Sequence, residues 1–433
     1  MNRVFVLILF SFFNTFFILG QNTLTLDEAL KIGLENNYAI KLARNATLIN
    51  TTNNTLGNAG ILPVVALNFG QTFNINNTRQ EFFSGDIRSG NNVNTNIGNA
   101  NIVGTWTAFN GLQMFINKDR LEEIQNLGML QLQFQIENTT SQIMLQYFNV
   151  EQQEKRIDII KKAINISKER IQLAKIKEDL GSGSGLAVIQ AEVDINADSS
   201  SLMQQQLILK NMKVSLNDLL ARSPDIDFVT ETSPIFVPLG YNELMSNALQ
   251  RNKLLDIADK NIQIANLEIK QRVANIYPTI DINAGYNINR LNAEIGILKF
   301  NQNTGVSFGL TGRWNIFNGF NNKRDIQIAK LNVESQKINK ESTINTLKAD
   351  ISLAYNIYTY ATEMESIEQK NITLAKRNLD ITAEKLKSGA ITPIELRQAQ
   401  QNLIDVEFRK LAANFNAKIA MLELQRLSGA LIQ

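Results

Sequence analysis

The chain contains no cysteine and no histidine. The first absence excludes a disulfide framework, a cysteine-held zinc or iron–sulfur site and a lipid-modified cysteine. The second removes the commonest general base, and with it the Ser–His and Cys–His nucleophile arrangements. Carboxylate and lysine chemistry stays open on paper. The carboxylates, however, are dispersed along helical segments without a compact nucleophile–base or metal constellation. No catalytic residue, cofactor or metal is expected. Charge is scarce: 19% of residues are charged and 44% hydrophobic, a low charge content for an ordinary soluble surface. Lys+Arg 43 and Asp+Glu 41 nearly cancel, so no basic field points to nucleic acid. The prolines number six, at 63, 224, 234, 238, 278 and 393, which leaves nearly all of the chain free for long uninterrupted elements. Beyond the first twenty residues no run reaches the ~18 apolar residues of a transmembrane helix.

Those first twenty residues are themselves a distinct segment. Arg3 precedes VFVLILFSFFNTFFILG at 4–20, a charge followed by an apolar run, the pattern of a secretory signal peptide. Cleavage is expected after Gly20. The mature protein is then soluble, or enters a membrane by strands.

The remainder is written twice. At an offset of 215, Glu28 matches Glu243, Asn37 matches Asn252, Pro63 matches Pro278 and Gly70 matches Gly285. From Trp106 the offset is 208. It pairs Trp106 with Trp314, Asn110 with Asn318, Gly111 with Gly319, Tyr147 with Tyr355, Gly181 with Gly389 and Leu219 with Leu427. The seven extra residues of the first copy lie between Gly70 and Trp106, which marks a surface loop. The division is a signal segment at 1–20, a first repeat at 21–222, a linker at 223–239 and a second repeat at 240–433.

Apolar and polar residues alternate after Pro63 and Pro278, and again before each Phe-Asn-Gly. This predicts strands at about 64–76, 97–109, 279–290 and 304–317, one hairpin per copy. Such alternation suits a sheet on a soluble core or a membrane barrel with its apolar side outward. The strands meet the ~9–11 residues needed to cross a bilayer. Trp106 and Trp314 fall where an interfacial aromatic belt would lie. No adjacent amphipathic helix is free to cover the apolar face, which favours the membrane. Four strands cannot close a barrel, whose smallest size is ~8, so protomers must share one. Arg313 is on the polar side of its strand, either lining a lumen or solvated at the rim.

Long helices are expected at about 112–180, 184–221, 320–388 and 392–428, because glycine and proline are nearly absent there. The longest would approach ~100 Å. Ile157, Ile160, Ile164, Ile171 and Ile176 recur at spacings that suit coiled-coil-like packing. The fold class is mainly α with a membrane β-barrel portion, in two tandem repeats of a β-hairpin and a long α-helical hairpin.

In this order, the LTLDEAL opening, the prolines before each hairpin, the W-x-x-F-N-G exits and the glycine tips resemble the TolC-like outer-membrane efflux proteins. The resemblance covers essentially the whole mature chain. It implies a homotrimer with a twelve-stranded outer-membrane barrel, continuous with a periplasmic barrel of twelve helices. It implies an exit duct of a tripartite efflux pump or type I secretion system, working with a periplasmic adaptor and an inner-membrane pump. It places adaptor contacts on the tips, at Leu180, Gly181 and Ser182, and at Ser388, Gly389 and Ala390. The family's paired entrance aspartates fall on Glu395 and Gln398, with Ala187 and Gln190 at the equivalent places of the first copy. A trimer would carry a ring of three Glu395 carboxylates; the alternative is a solvated first-turn residue favoured by the helix dipole. The Tyr and Arg that clamp the closed family members fall on Leu386 and Ile391, so that clamp is absent. The competing function is a trimeric structural or adhesive stalk. The implied location is the outer membrane of a Gram-negative bacterium, in contact with its lipid.

Overall fold

The structure, a computed structural model, describes residues 23–232 and 240–431. The signal segment and residues 233–239 of the linker lie outside the described residues. Two compact units are present. One comprises the described residues up to Ile40, Ile136–Leu244 and those from Asp350 on; the other comprises Lys41–Gln135 and Met245–Ala349. Each therefore draws on both halves of the chain.

In the first unit, β1 (Thr23–Leu24) pairs in parallel with β4 (Val229–Thr230). Helix α1 (Leu26–Asn36) starts at a capping box. Thr25 Oγ1 accepts from the Glu28 N–H at 3.1 Å, and Glu28 accepts from the Thr25 N–H at 3.2 Å. The LTLDEAL opening thus satisfies two backbone donors that a helix start leaves free. Asn37 ends α1 and opens α2 (Tyr38–Asn53), its Oδ1 accepting from the Ala39 N–H at 2.9 Å. In the second unit, Asn252 does the same for Leu254 at 2.9 Å, between α6 (Tyr241–Arg251) and α7 (Lys253–Ala274). The paired asparagines are helix caps.

The short α3 (Leu56–Ala59) leads to β2 (Val64–Glu81), β3 (Ile87–Asn110), β5 (Thr279–Ala293) and β6 (Phe300–Arg313). They form one antiparallel sheet in the order β2-β3-β5-β6. The first hairpin is longer than the sequence predicts. Residues 77–96, expected as an Asn-rich loop, continue the ladder through Asn76↔Val93 and, past a bulge, through Thr78↔Gly90 to Glu81↔Ile87. Asparagine is poor strand material, and backbone pairing overrides that preference. The last strand is shorter than predicted, ending at Arg313 instead of 317. Its partner Thr279 is the first residue of β5, and the preceding Pro278 has no N–H to offer. Trp314 therefore sits just beyond its strand.

Strand partners share a face, so register orders the sheet into rows. Leu67, Ile102, Tyr286 and Val306 form one row, and Val65, Gly104, Ala284 and Phe308 another. Asn68, Asn101, Asn287 and Gly305 form a row on the opposite face. The apolar face is uncovered: Phe69 is 85% and Phe308 87% exposed. Among the described residues, β2 pairs only with β3 and β6 only with β5.

The strands pass into helices by a repeated turn. Gly111 and Leu112 take φ of +67° and +66°, and Gly319 and Phe320 take +66° and +61°. A Cβ at Gly111 would meet the Ala274 carbonyl at 2.5 Å, so glycine is required there. Asn110 Oδ1 then caps α4 (Gln113–Asp179) at the Met114 N–H, 3.3 Å away. Asn318 stands likewise 3.4 Å from the Asn322 N–H in α8 (Asn321–Lys387). Helix α5 (Gly185–Leu219) and α9 (Pro393–Leu427) follow the tips. Helices α4 and α8 have 67 residues each, and α5 and α9 have 35 each. Ile157, Ile160 and Ile164 are buried, as their spacing predicts, whereas Ile176, in the last turn of α4, is exposed. Among the described residues no helix is long and apolar enough to cross a membrane.

Candidate functional site

The two helix tips, both in the first unit, end in the same way. Gly181 takes φ +69° and Gly389 φ +75°. The Gly181 N–H donates to the Glu178 carbonyl and the Ser182 N–H to Lys177, both at 2.9 Å. The Gly389 N–H donates to Leu386 at 3.1 Å and the Ala390 N–H to Lys385 at 2.9 Å. These are Schellman closures, which favour glycine at the left-handed position and leave its neighbours free to vary. Leu180, Ser182 and Ser388 are exposed at the turns.

Glu395 is exposed in the first turn of α9. Its Oε2 accepts from the Thr392 N–H at 2.8 Å and the Thr392 hydroxyl at 3.0 Å. Those two bonds hold its carboxyl below the usual carboxylate range. Within one chain the helix-capping role is thus realised; a ring of like charges would push in the opposite direction. Gln398 is exposed and donates to Asn402 at 3.0 Å. Ala187 and Gln190 stand on α5, facing a cavity between the tips.

The clamp positions hold no polar lock. Leu386 is buried in an apolar cluster with Leu379, Leu396, Ala399 and Leu403, and Ile391 packs against it. Polar and ionic ties join the hairpins beside this apolar cluster, and sequence reading missed them. Arg397 on α9 holds Asp198 on α5 through two bonds, at 2.7 and 2.9 Å. Ser167 on α4 donates to the same Asp198 at 2.8 Å. Arg170 pairs with Asp194 at 2.6 Å. Gln400 donates to the Ala163 carbonyl at 2.8 Å and to Ser167 at 2.9 Å. The available signal was the i,i+4 pair Asp194 and Asp198, two acids on one face of α5.

Burial pushes the Asp198 carboxyl up, but bonds from Arg397 and Ser167 outweigh it and hold it below the ordinary range. A carboxylate lowered by folding stabilises the fold above its unfolded value of about 4 and loses that contribution as pH falls further. Acidification below about pH 4 is therefore expected to loosen the tips. Amide hydrogen exchange should accelerate there before it does around buried Tyr147; uniform acceleration would count against the assignment.

In the second unit, the Trp106 indole N–H donates to the Ile61 carbonyl and that of Trp314 to Ile276, each at 3.0 Å. Each ring ties the strand end to the segment before its proline. Both rings remain about half exposed or more, at 45% and 61%, as interfacial aromatics are. Arg313 ends β6 opposite Thr279, on the same face as Asn283 and Asn287.

A sheet with one bare apolar face and one amide-lined face, joined to long paired helices, defines a class of protein that enters a membrane by strands. Comparison with known proteins shows what it is similar to. Residues 244–430 match the family model described as outer membrane efflux protein. The outer membrane efflux protein BepC of Brucella suis biovar 1 (strain 1330) is 20% identical over 293 residues, covering 68% of this chain and 63% of that relative. The chain thus spans less than two thirds of that relative's length. Among solved structures, the outer-membrane channel OprN aligns with a TM-score of 0.78 at 15% identity, covering 94% of this chain and 90% of its own. The outer membrane protein VceC of Vibrio cholerae aligns at 0.76 and 12% identity, covering 93% and 96%. Over residues 244–430 the chain is similar to the outer membrane efflux proteins, and nearly its whole length has the fold of these solved outer-membrane channels.

Proposed function

We propose that three copies of this chain form an outer-membrane exit duct for efflux. The observation that carries this reading is the four-stranded sheet with a bare apolar face and two unpaired edges. Unpaired strand edges are not tolerated in hydrocarbon, and four strands are too few to close. Three protomers supply twelve, with the helices continuing into the periplasm. The opposite face supports a water-filled lumen. Asn68 donates to Asn101 at 2.9 Å, Asn283 to Thr311 at 3.1 Å, Asn287 to Ser307 at 2.7 Å and Thr107 to Asp281 at 2.7 Å. A stalk has no need of such a face. The curated relative is itself named an efflux protein.

Reconstitution into planar bilayers tests the reading. A duct gives discrete conductance steps; a stalk gives no current, which would sink the proposal. The tips, with Leu180, Gly181, Ser182, Ser388, Gly389 and Ala390, are the surface for a periplasmic adaptor linked to an inner-membrane pump. Three Glu395 carboxylates are proposed to ring the entrance beside Gln398, Ala187 and Gln190, and to attract cations. Glu395→Ala is then expected to weaken block by trivalent cations added on the periplasmic side. Glu395→Gln is the cleaner variant, since glutamine keeps the capping reach and removes the charge. Unchanged block in both would leave Glu395 as a helix cap alone.

A further inference from the structure

The two helix tips enclose a cavity of about 370 Å³. Helices α4 and α5 supply Leu173 and Ala187, and the second tip supplies Leu386, Ile391, Pro393 and Ile394. Its walls are mainly apolar. The charged groups that line it are Arg170, Lys177, Asp194 and Arg397. Arg170 is taken by Asp194 at 2.6 Å and Arg397 by Asp198 at 2.7 Å. Those pairs use both carboxylates and leave Lys177 over.

Lys177 Nζ donates to the Leu386 carbonyl at 2.6 Å. Among the described residues no carboxylate lies within ion-pair distance of it. Glu178, the next residue, leans toward Gly185, where an added Cβ would meet its Oε1 at 2.8 Å. An ammonium has three donors, and one is used. Arg170, itself 5% exposed, has an Nε with no acceptor. The cluster therefore carries more donors and more positive charge than the chain matches. An uncompensated cation in an apolar cavity calls for an anion with an apolar body.

We infer that this cavity binds a small monoanionic amphiphile, such as an aromatic or medium-chain carboxylate. Its charged group sits on Lys177 and its body lies against Leu173, Leu386 and Ile394. The volume is that of a small-molecule site, and a single surplus cation selects one negative charge. Because both tips contribute walls, an occupant ties one helical hairpin to the other.

The test uses the full-length protein in lipid nanodiscs with trifluoromethylbenzoate as probe, followed by fluorine NMR against empty nanodiscs. Saturable binding is expected. Lys177→Gln keeps a donor for the Leu386 carbonyl but removes the charge, and is expected to weaken binding roughly tenfold or more. The neutral trifluoromethylbenzamide is expected to bind weakly to both proteins. Ala187→Met partly fills the cavity without altering charge and is expected to exclude the probe. Absence of saturable binding, or equal affinity of wild type and Lys177→Gln, overturns the proposal. The readout is binding alone, so the result is independent of whether the protein conducts.

Discussion

Phe308→Arg is expected to keep most of the protein out of the outer membrane. Phe308 stands in β6 opposite Ala284, five pairs beyond the Thr279–Arg313 pair, on the bare apolar face. Nothing among the described residues covers it. A charge on the lipid face of a strand costs ~2–4 kcal/mol near the bilayer midplane. Three copies in one barrel would multiply that cost about threefold. Asn303→Arg is the control: Asn303 pairs with Asn289 on the amide-lined face, where a charge remains in water. The control is expected to insert normally. Membrane fractionation and resistance to extraction check both. Equal insertion of the two variants would reverse the assignment of inner and outer faces.

The second large effect is expected at Tyr147 in the first unit. This ring is fully buried among Leu24, Ile143, Phe148, Leu216 and Phe415. Its hydroxyl donates to the Leu24 carbonyl at 2.7 Å and accepts from the Glu231 N–H at 2.9 Å. One side chain thereby fastens β1 and the segment after β4 to the middle of α4. Burial, reinforced by the Glu151, Glu231 and Glu154 carboxylates, pushes the phenol up to about 12 despite the Glu231 N–H, so it stays a donor at any physiological pH. Tyr147→Ala removes a buried aromatic and is expected to cost ~3–5 kcal/mol. Tyr147→Phe keeps the packing and strands two backbone groups, at about 1–3 kcal/mol. Thermal loss of the assembled protein, followed on gels, should rank wild type above Phe above Ala. Equal losses for Phe and Ala would place the whole effect in the hydroxyl.

Much of this molecule is legible in one dimension because its elements are long and their periods regular. Few prolines and glycines permit 67-residue helices, and period-two alternation separates the two faces of each strand. The duplicated small motifs have local causes. Thr25 with Glu28, Asn37, Asn252, Asn110 and the two tip glycines satisfy helix ends within a few residues of themselves, so their signal survives in the sequence. The hairpin at 77–96 was hidden because its stability lies in pairing, and asparagine carries no strand signature. The end of β6 was misplaced because it is set by where β5 begins, in a partner far along the chain.

The tip site divides in the same way. Gly181, Gly389 and Glu395 were found because turns and caps are local. Lys177, Arg170, Asp194, Asp198 and Arg397 were not, because their partners sit on other helices tens to hundreds of residues away. Tyr147 was visible only as a repeated residue opposite Tyr355; its burial depends on what packs around α4. The sequence by itself determined the absence of cysteine and histidine chemistry, the type of each long element and the apolar side of each strand. Composition and short-range periodicity carry that information. Only the tertiary structure decided the sheet order, the register that joins the apolar sides of four strands into one bare face, and the ion pairs that hold the tips. Those depend on contacts between distant residues, which no local pattern records.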